Sequence, residues 1–333
     1  MDLLVLGGTR FVGRAVVADA LDRGWQVTAL NRGQTRELPG GVTALVADRT
    51  NPQELARALG TRTFDLVVDT WAGAPRVVRA AANLLRDGAG RYGYVSSRSV
   101  YTEGRPAGGD ESWPTVEASP DAELTDYAAD KRGGELAALA AFPGALLARA
   151  GLILGPYEDI GRLPWWLDRI ARGGPVVAPG RPERPLQYVD ARDLAAWLLD
   201  GLAAGLSGPV DVTAPSGHAT TQRLLAACVD ATGSDAELVW FSEPELEAAG
   251  AEPWVHLPCW VPEGGEFAGF LEGGTARAIA TRLRPRPVEQ TVADTSAWWR
   301  RDGLPAQRPD RATHGLPREI EAALLDGRRT VKG

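Results

Sequence analysis

The segment "DLLVLGGTRFVGRAVV", residues 2–17, constrains the chain more than any other. Apolar residues 3–6 run into glycines at 7 and 8, and an amphipathic stretch starts a few positions later. An apolar strand, a glycine turn and a helix in this order let a backbone approach a pyrophosphate. The free N–H groups of the helix then face the anion. Gly7 and Gly13 suit that arrangement, but Arg10 stands where such a turn usually carries its middle glycine. The candidate cradle is Gly7, Thr9, Arg10, Phe11, Val12 and Gly13.

Beyond the cradle, strand-like runs at 26–30, 42–46, 65–69, 91–96 and 145–150 alternate with helical patterns at 14–23, 52–59, 74–87 and 126–141. Continuous apolar strands separated by helices predict an α/β fold, a doubly wound parallel (Rossmann) sheet whose ligands bind at the carboxyl ends of the strands. After Gly151 the pattern loosens, and a smaller C-terminal substrate lobe is expected. The division reads as 1–152 and 186–215 for a dinucleotide-binding domain, and 153–185 and 216–333 for the smaller lobe and tail. The segment 186–215 is expected to return to the sheet. The last ~30 residues are charged and rich in Pro and Gly, with one helical piece at 318–325, and read as peripheral.

The end of the second strand bears on which dinucleotide binds. NAD sites usually place an acid there for the ribose 2′-hydroxyl. Here the sequence is "TALNRGQT": Asn31 carries no charge to repel a phosphate, and Arg32 can pair with one. Arg10 is a second cation for the same group. NADP is the expected cofactor, with NAD the other choice. Asp48, after the third strand, is placed for the adenine edge.

The chemistry is concentrated in "TDYAADKRGGE". Tyr127 and Lys131, four apart on a helix, share a face, and a lysine cation favours the phenolate that a proton-transferring tyrosine needs. Among 36 basic residues only Lys131 and Lys332 are lysines. With 6 tyrosines in the chain, one falls four places before Lys131 by accident about 2% of the time. Upstream, "YGYVSSRSVY" offers Ser96, Ser97 and Ser99 at the end of a strand facing the same crevice, where a hydroxyl can hold a substrate carbonyl.

The glycine loop, the Ser-Ser-x-Ser-Val-Tyr strand and Tyr-x-x-x-Lys occur in the order that resembles the short-chain dehydrogenase/reductase superfamily. The nearer likeness is to its extended branch, the NAD(P)-dependent epimerase/dehydratase family. It covers residues 1 to about 300, with further matches at "RAGLILGP", "QYVDARDLA" and "SAWW". The resemblance implies Ser97 as the catalytic hydroxyl, counted back from Tyr101, Tyr127 as the general acid/base, and Lys131 on the nicotinamide ribose. It also implies a homodimer built through a helix pair. The departures matter. Where family dehydratases carry Asp–Glu after the catalytic hydroxyl, this chain has Arg98 and Ser99. Where sugar-nucleotide epimerases carry a pyrophosphate-clamping arginine it has Leu186, with Arg184 nearby. The later Arg-x-Gly-Asp motif has no clear counterpart in "EGGEFAGFLEGG".

Composition narrows the partners to a small-molecule substrate. A net charge of −7 without basic clusters disfavours nucleic acid and anionic membrane. His218, His256 and His314 with Cys228 and Cys259 show no metal-ligand spacing, so no metal is expected. The sparse cysteines, the absence of a leader pattern and the lack of an ~18-residue apolar run lead to an expectation of a cytoplasmic protein. Eight of 11 tryptophans follow residue 150 and read mainly as core beneath long loops, the alternative being an aromatic pocket. Three functions stay open: an NADPH-dependent reductase of a carbonyl, an NAD-dependent nucleotide-sugar epimerase, and a non-catalytic nucleotide or RNA binder. The Gly-Gly-Thr-Arg-Phe loop also resembles the sub-branch of chloroplast stem-loop RNA-binding proteins.

Overall fold

Seven short, largely buried runs pair in parallel to make one sheet in the computed structural model. The structure describes residues 1–34, 37–264, 267, 269–304, 308 and 311–331. Lys332 and part of the stretch compared with Arg-x-Gly-Asp lie outside the described residues. In chain order the first unit contains β1 (Asp2–Leu6), α1 (Phe11–Asp22), β2 (Gln26–Asn31), β3 (Val42–Val46), α2 (Pro52–Leu59), β4 (Phe64–Asp69), α3 (Pro75–Leu85), β5 (Ala89–Ser97), a 3-10 turn (Arg98–Val100), α4 (Tyr127–Ala141) and β6 (Leu146–Ala150). The second unit contributes β7 (Leu152–Leu154), α5 (Arg162–Ala171), β8 (Pro175–Pro179) and β9 (Tyr188–Asp190). The chain then returns to the first unit for α6 (Ala191–Ala204) and β10 (Gly208–Val212), and to the second for α7 (Thr221–Thr232), β11 (Glu237–Phe241) and α8 (Glu243–Ala248). It ends with α9 (Ala276–Ala280) in the first unit, and α10 (Val288–Asp302) and α11 (Arg318–Val331) in the second.

The first unit comprises 1–151, 191–213 and 274–285. Its sheet runs β10-β6-β5-β4-β1-β2-β3, every pairing parallel. Leu6 pairs with Leu30 on one side and Asp69 on the other. The strand order therefore reverses at β1 and β4, which is where an open α/β sheet binds its ligand. One core cluster joins β1, β4, β5 and β6 to α2, α3 and α4 through Leu4, Leu55, Val67, Val78, Tyr92, Ala138 and Leu147. Helix starts follow local chemistry. Asn51 accepts from the N–H groups of Gln53 and Glu54 ahead of α2, with Pro52 in its first turn, and Asp126 accepts from Ala129 N at 2.9 Å to start α4.

The second unit comprises 152–190, 214–273 and 286–333. It holds two two-stranded parallel sheets, β7 with β9 and β8 with β11. The stretch 186–215 is thus divided: β10 joins the main sheet, whereas β9 pairs with β7 and stays outside it. The segment 274–285, expected in the lobe, packs its helix α9 on β10. The tail differs too. α11 extends from 318 to 331 and packs on β8, burying Leu324, while Arg169 Nε donates to Glu321 at 2.8 and 3.0 Å. Amphipathic spacing, rather than charge content, decides that helix's placement. Trp166, Trp197, Trp260 and Trp298 are buried, and Trp165, Trp240, Trp254 and Trp299 pack around the second unit's core.

Candidate active site

The glycine loop is built by sterics. Gly7 has φ 126°, and a Cβ there would lie 2.3 Å from Thr70 Oγ1. A Cβ on Gly13 would lie 2.6 Å from the backbone nitrogen of Gly8, so the third residue of α1 must be glycine for the loop to cross it. Arg10 answers the question raised by the missing middle glycine. Its φ of −123° and ψ of 149° are ordinary extended backbone, open to any side chain, and its side chain is exposed. The positive φ falls instead on Phe11, at 25°, the buried first residue of α1. Thr9 and Val12 are buried beside it. The first turn of α1 has no acidic residue, which leaves its N-terminal partial charge available to an anion. A glycine-lined turn that a Cβ would fill, ending on such a helix, fits a dinucleotide pyrophosphate.

At the far end of β2, Asn31 Oδ1 accepts from Gly33 N at 2.7 Å, a local turn that holds the exposed Arg32 just beyond the strand. Asp48 Oδ1 accepts from Thr50 N at 2.9 Å and Thr50 Oγ1 at 2.7 Å. The Thr50 N–H and hydroxyl, aided by attraction to Arg32, hold the Asp48 carboxyl below its usual range. Beside it lies a pair that sequence reasoning missed. Buried Arg49 grips Asp69, the last residue of β4, through two bonds of 2.7 Å. Tyr92 OH donates to Asp69 Oδ2 at 2.6 Å, and Trp71 N donates to Asp69 Oδ1 at 2.9 Å. Burial pushes the Asp69 carboxyl up, but Arg49, Tyr92 and Trp71 together outweigh burial and hold it down. A charged residue closing the apolar run "FDLVVD" was the available signal.

The catalytic candidates come from β5 and α4, which pack against each other. Tyr127 is the first residue of α4 and is 39% exposed. One turn on, Lys131 is buried, its Nζ donating to Trp71 O at 2.7 Å and Val95 O at 2.6 Å and lying 4.9 Å from the centre of the Tyr94 ring. Ser97 ends β5. Its Oγ accepts from Ser99 N at 3.1 Å, capping the 3-10 turn, and lies 3.1 Å from Ser99 Oγ. Ser96 turns to α4 and donates to Glu135 Oε1 at 2.7 Å; Arg149 from β6 holds the same carboxylate at 2.8 and 2.9 Å. Lys131 is thus tied to the strand that ends in Ser97, and Glu135 fastens the same helix to the same strand.

The positions that depart from the family's pattern are occupied structurally. Arg98 faces Asp211 at 3.8 Å, and burial, with Arg105 nearby, brings it down to about 10. Leu186 is buried. Arg184 is buried as well, its two Nη groups donating to Glu243 Oε1 at 3.0 Å and Pro262 O at 2.9 Å. Among the described residues no group of three or more His, Cys, Asp or Glu is placed to hold a metal ion, and no helix is long and apolar enough to cross a membrane.

Residues 3–210 match the NAD dependent epimerase/dehydratase family. The chain belongs to that family. The family makes it an NAD(P)-dependent enzyme of the oxidoreductase or epimerase type. Among curated relatives, a 2′-dehydrokanamycin reductase of Streptomyces kanamyceticus is 30% identical over 315 residues, 90% of this chain and 85% of the relative. A ceramide reductase of Caulobacter vibrioides is 27% identical over 274 residues, 76% and 78% of the two chains. Among solved structures, a Bordetella bronchiseptica enzyme in complex with NAD+ superposes with a TM-score of 0.69 at 16% identity, over 91% of this chain and all of that one. The UDP-glucose 4-epimerase of Thermus thermophilus in complex with NAD gives 0.63 at 22%, over 90% and 99%. Both share the extended Rossmann fold found here.

Proposed function

We propose that this family member is an NADP(H)-dependent reductase that converts a carbonyl of a small-molecule substrate to an alcohol, with the first unit as the dinucleotide-binding domain. The observation that carries the reading is an exposed Tyr127 one helical turn from a buried Lys131 that is pinned to the strand ending in Ser97. Gly7, Thr9, Arg10, Phe11, Val12 and Gly13 cradle the pyrophosphate, Asp48 meets the adenine edge, and Arg32, with Arg10, pairs with a 2′-phosphate. Asn31 shapes the turn that carries Arg32. When bound, NADPH supplies the hydride for the carbonyl carbon. Ser97 Oγ donates a hydrogen bond to the carbonyl oxygen and orients it. Tyr127 gives its phenolic proton to that oxygen as the alcohol forms, and Lys131 holds the ribose hydroxyls and stabilises the phenolate left behind.

Both curated relatives are named reductases, which supports reduction over epimerisation. The interior roles of Leu186 and Arg184 weaken the case for a nucleotide-sugar substrate, because neither offers a cation to a second pyrophosphate.

The test is a calorimetric titration of nucleotide-stripped protein with NADPH and NADH. NADPH is expected to bind at least ten times more tightly, about 1.4 kcal/mol, and Arg32→Ser to erase most of that gap. Tyr127→Phe should lower turnover of any ketone the wild type reduces by about 10²–10⁴ while leaving NADPH affinity nearly unchanged. Equal affinities, or NAD that resists stripping, would replace this reading with the epimerase.

A further inference from the structure

The position of Lys131 depends in part on a loop outside both β5 and α4. Its Nζ donates to the carbonyl oxygen of Trp71, two residues past the end of β4. Trp71 is held from several sides. Its backbone N–H donates to Asp69 Oδ1 at 2.9 Å, its indole N–H to Ala74 O at 3.1 Å, and its carbonyl also accepts from Tyr94 OH at 3.0 Å. Its ring lies 5.1 Å from the guanidinium carbon of Arg49. Arg49 is held in turn by its two bonds to Asp69, so one carboxylate fixes both the backbone of Trp71 and the cation over its ring.

We infer that the Arg49–Asp69 pair is a positioning device for Lys131, acting through Trp71; this rests on the reading of Lys131 as the ribose-binding lysine. A lysine stem is long and flexible, and its ammonium is as well placed as the acceptors that receive it. Of its two backbone acceptors, Val95 O belongs to β5 and is fixed by the sheet, whereas Trp71 O belongs to a loop and needs its own support. The pair supplies it. A buried ion pair is a weak device for stability, since apolar residues of similar volume often serve as well. The geometry here matters more than the charge. Two N–H bonds hold the Arg49 guanidinium over the indole, a two-point hold that a lysine ammonium cannot reproduce. Arg49 also directly follows Asp48, so the segment that meets the adenine edge and the group that places Lys131 are adjacent in the chain. In this inference Arg49 acts on Lys131 through Asp69 and Trp71, as a positioning residue.

The experiment measures binding of two probes to full-length protein: NADPH, and adenosine 2′,5′-bisphosphate, which lacks the nicotinamide half. If the wild type prefers NADH, the probes are NADH and AMP. Arg49→Lys is expected to weaken the whole coenzyme about tenfold and the adenosine probe less than about twofold. In a Lys131→Met background the same substitution should cost no further coenzyme affinity, because the group it positions is gone. Trp71→Phe leaves the buried ion pair intact and covers the case in which Arg49→Lys fails to fold; it should show the same selective loss. Equal weakening of both probes, no weakening of either, or additive losses with Lys131→Met would each overturn the inference while leaving the reductase reading standing. A wild type that binds neither coenzyme would overturn both.

Discussion

Gly13 shows how much a single residue can reveal. Its need for glycine is set by a backbone atom, Gly8 N, rather than by a side chain that could swing aside. Gly13→Ala should therefore reduce coenzyme affinity by at least about tenfold and cost about 1–3 kcal/mol of stability, read by titration and by urea unfolding of the same sample. Glycines, like Tyr127 and Lys131, are legible in sequence because their meaning lies in spacings of a few residues along one turn or helix. The pairing of Arg49 with Asp69 beside Trp71 was not legible, since Arg49 and Asp69 lie 20 apart and meet only once the sheet order is known. The arginine in the glycine loop was an anomaly by pattern and is ordinary by dihedral angle. The uncommon backbone belongs to Phe11, which no pattern singles out.

At the scale of an element, α4 does the most. Tyr127, Lys131 and Glu135 repeat every four residues, so one face of the helix carries the proposed proton donor, the ribose lysine and the carboxylate that joins β5 to β6. Burial alone would raise the Glu135 carboxyl. The bonds from Arg149, with Ser96 and Arg132, outweigh burial and hold it below its usual range. Glu135→Leu alone should cost about 3–5 kcal/mol, because it strands the Arg149 charge, and adding Arg149→Met should recover most of that loss in denaturant unfolding. Strand and helix existence in the first half was read correctly because apolar runs of four to six residues and 3.6-residue periodicity are local signals. Partnership was not local. The short strand β9 reads like a strand of the main sheet, yet its register is with β7. Likewise a charged tail conceals the apolar stripe that seats α11 on β8.

For the whole molecule, pH dependence should trace to the second unit. Glu158 is fully buried and accepts from Arg162 N at 2.7 Å and Leu163 N at 3.1 Å. Burial pushes its carboxyl from the ordinary 4.5 up to about 7, against the pull of Arg162 and those two N–H groups. The folded chain therefore keeps this proton over a window in which the unfolded chain releases it. The group's contribution to stability is complete below the unfolded value and falls as pH rises through that window to about 7. The change is on the order of 3 kcal/mol. Glu158→Gln should narrow the drop in melting temperature between pH 5 and pH 8 seen by calorimetry. An unchanged drop would assign the dependence elsewhere.

The first unit is assembled from three separated stretches, and its last pieces are β10 and α9. During synthesis β6 must wait, its outer edge unpaired, until residue 212 has left the ribosome, and β10 must wait for α9 until residue 280 has followed. A nascent chain arrested at residue 151 would hold every proposed catalytic residue yet present an open strand edge to its neighbours. Its early fate should therefore depend on chaperones more than its finished stability suggests.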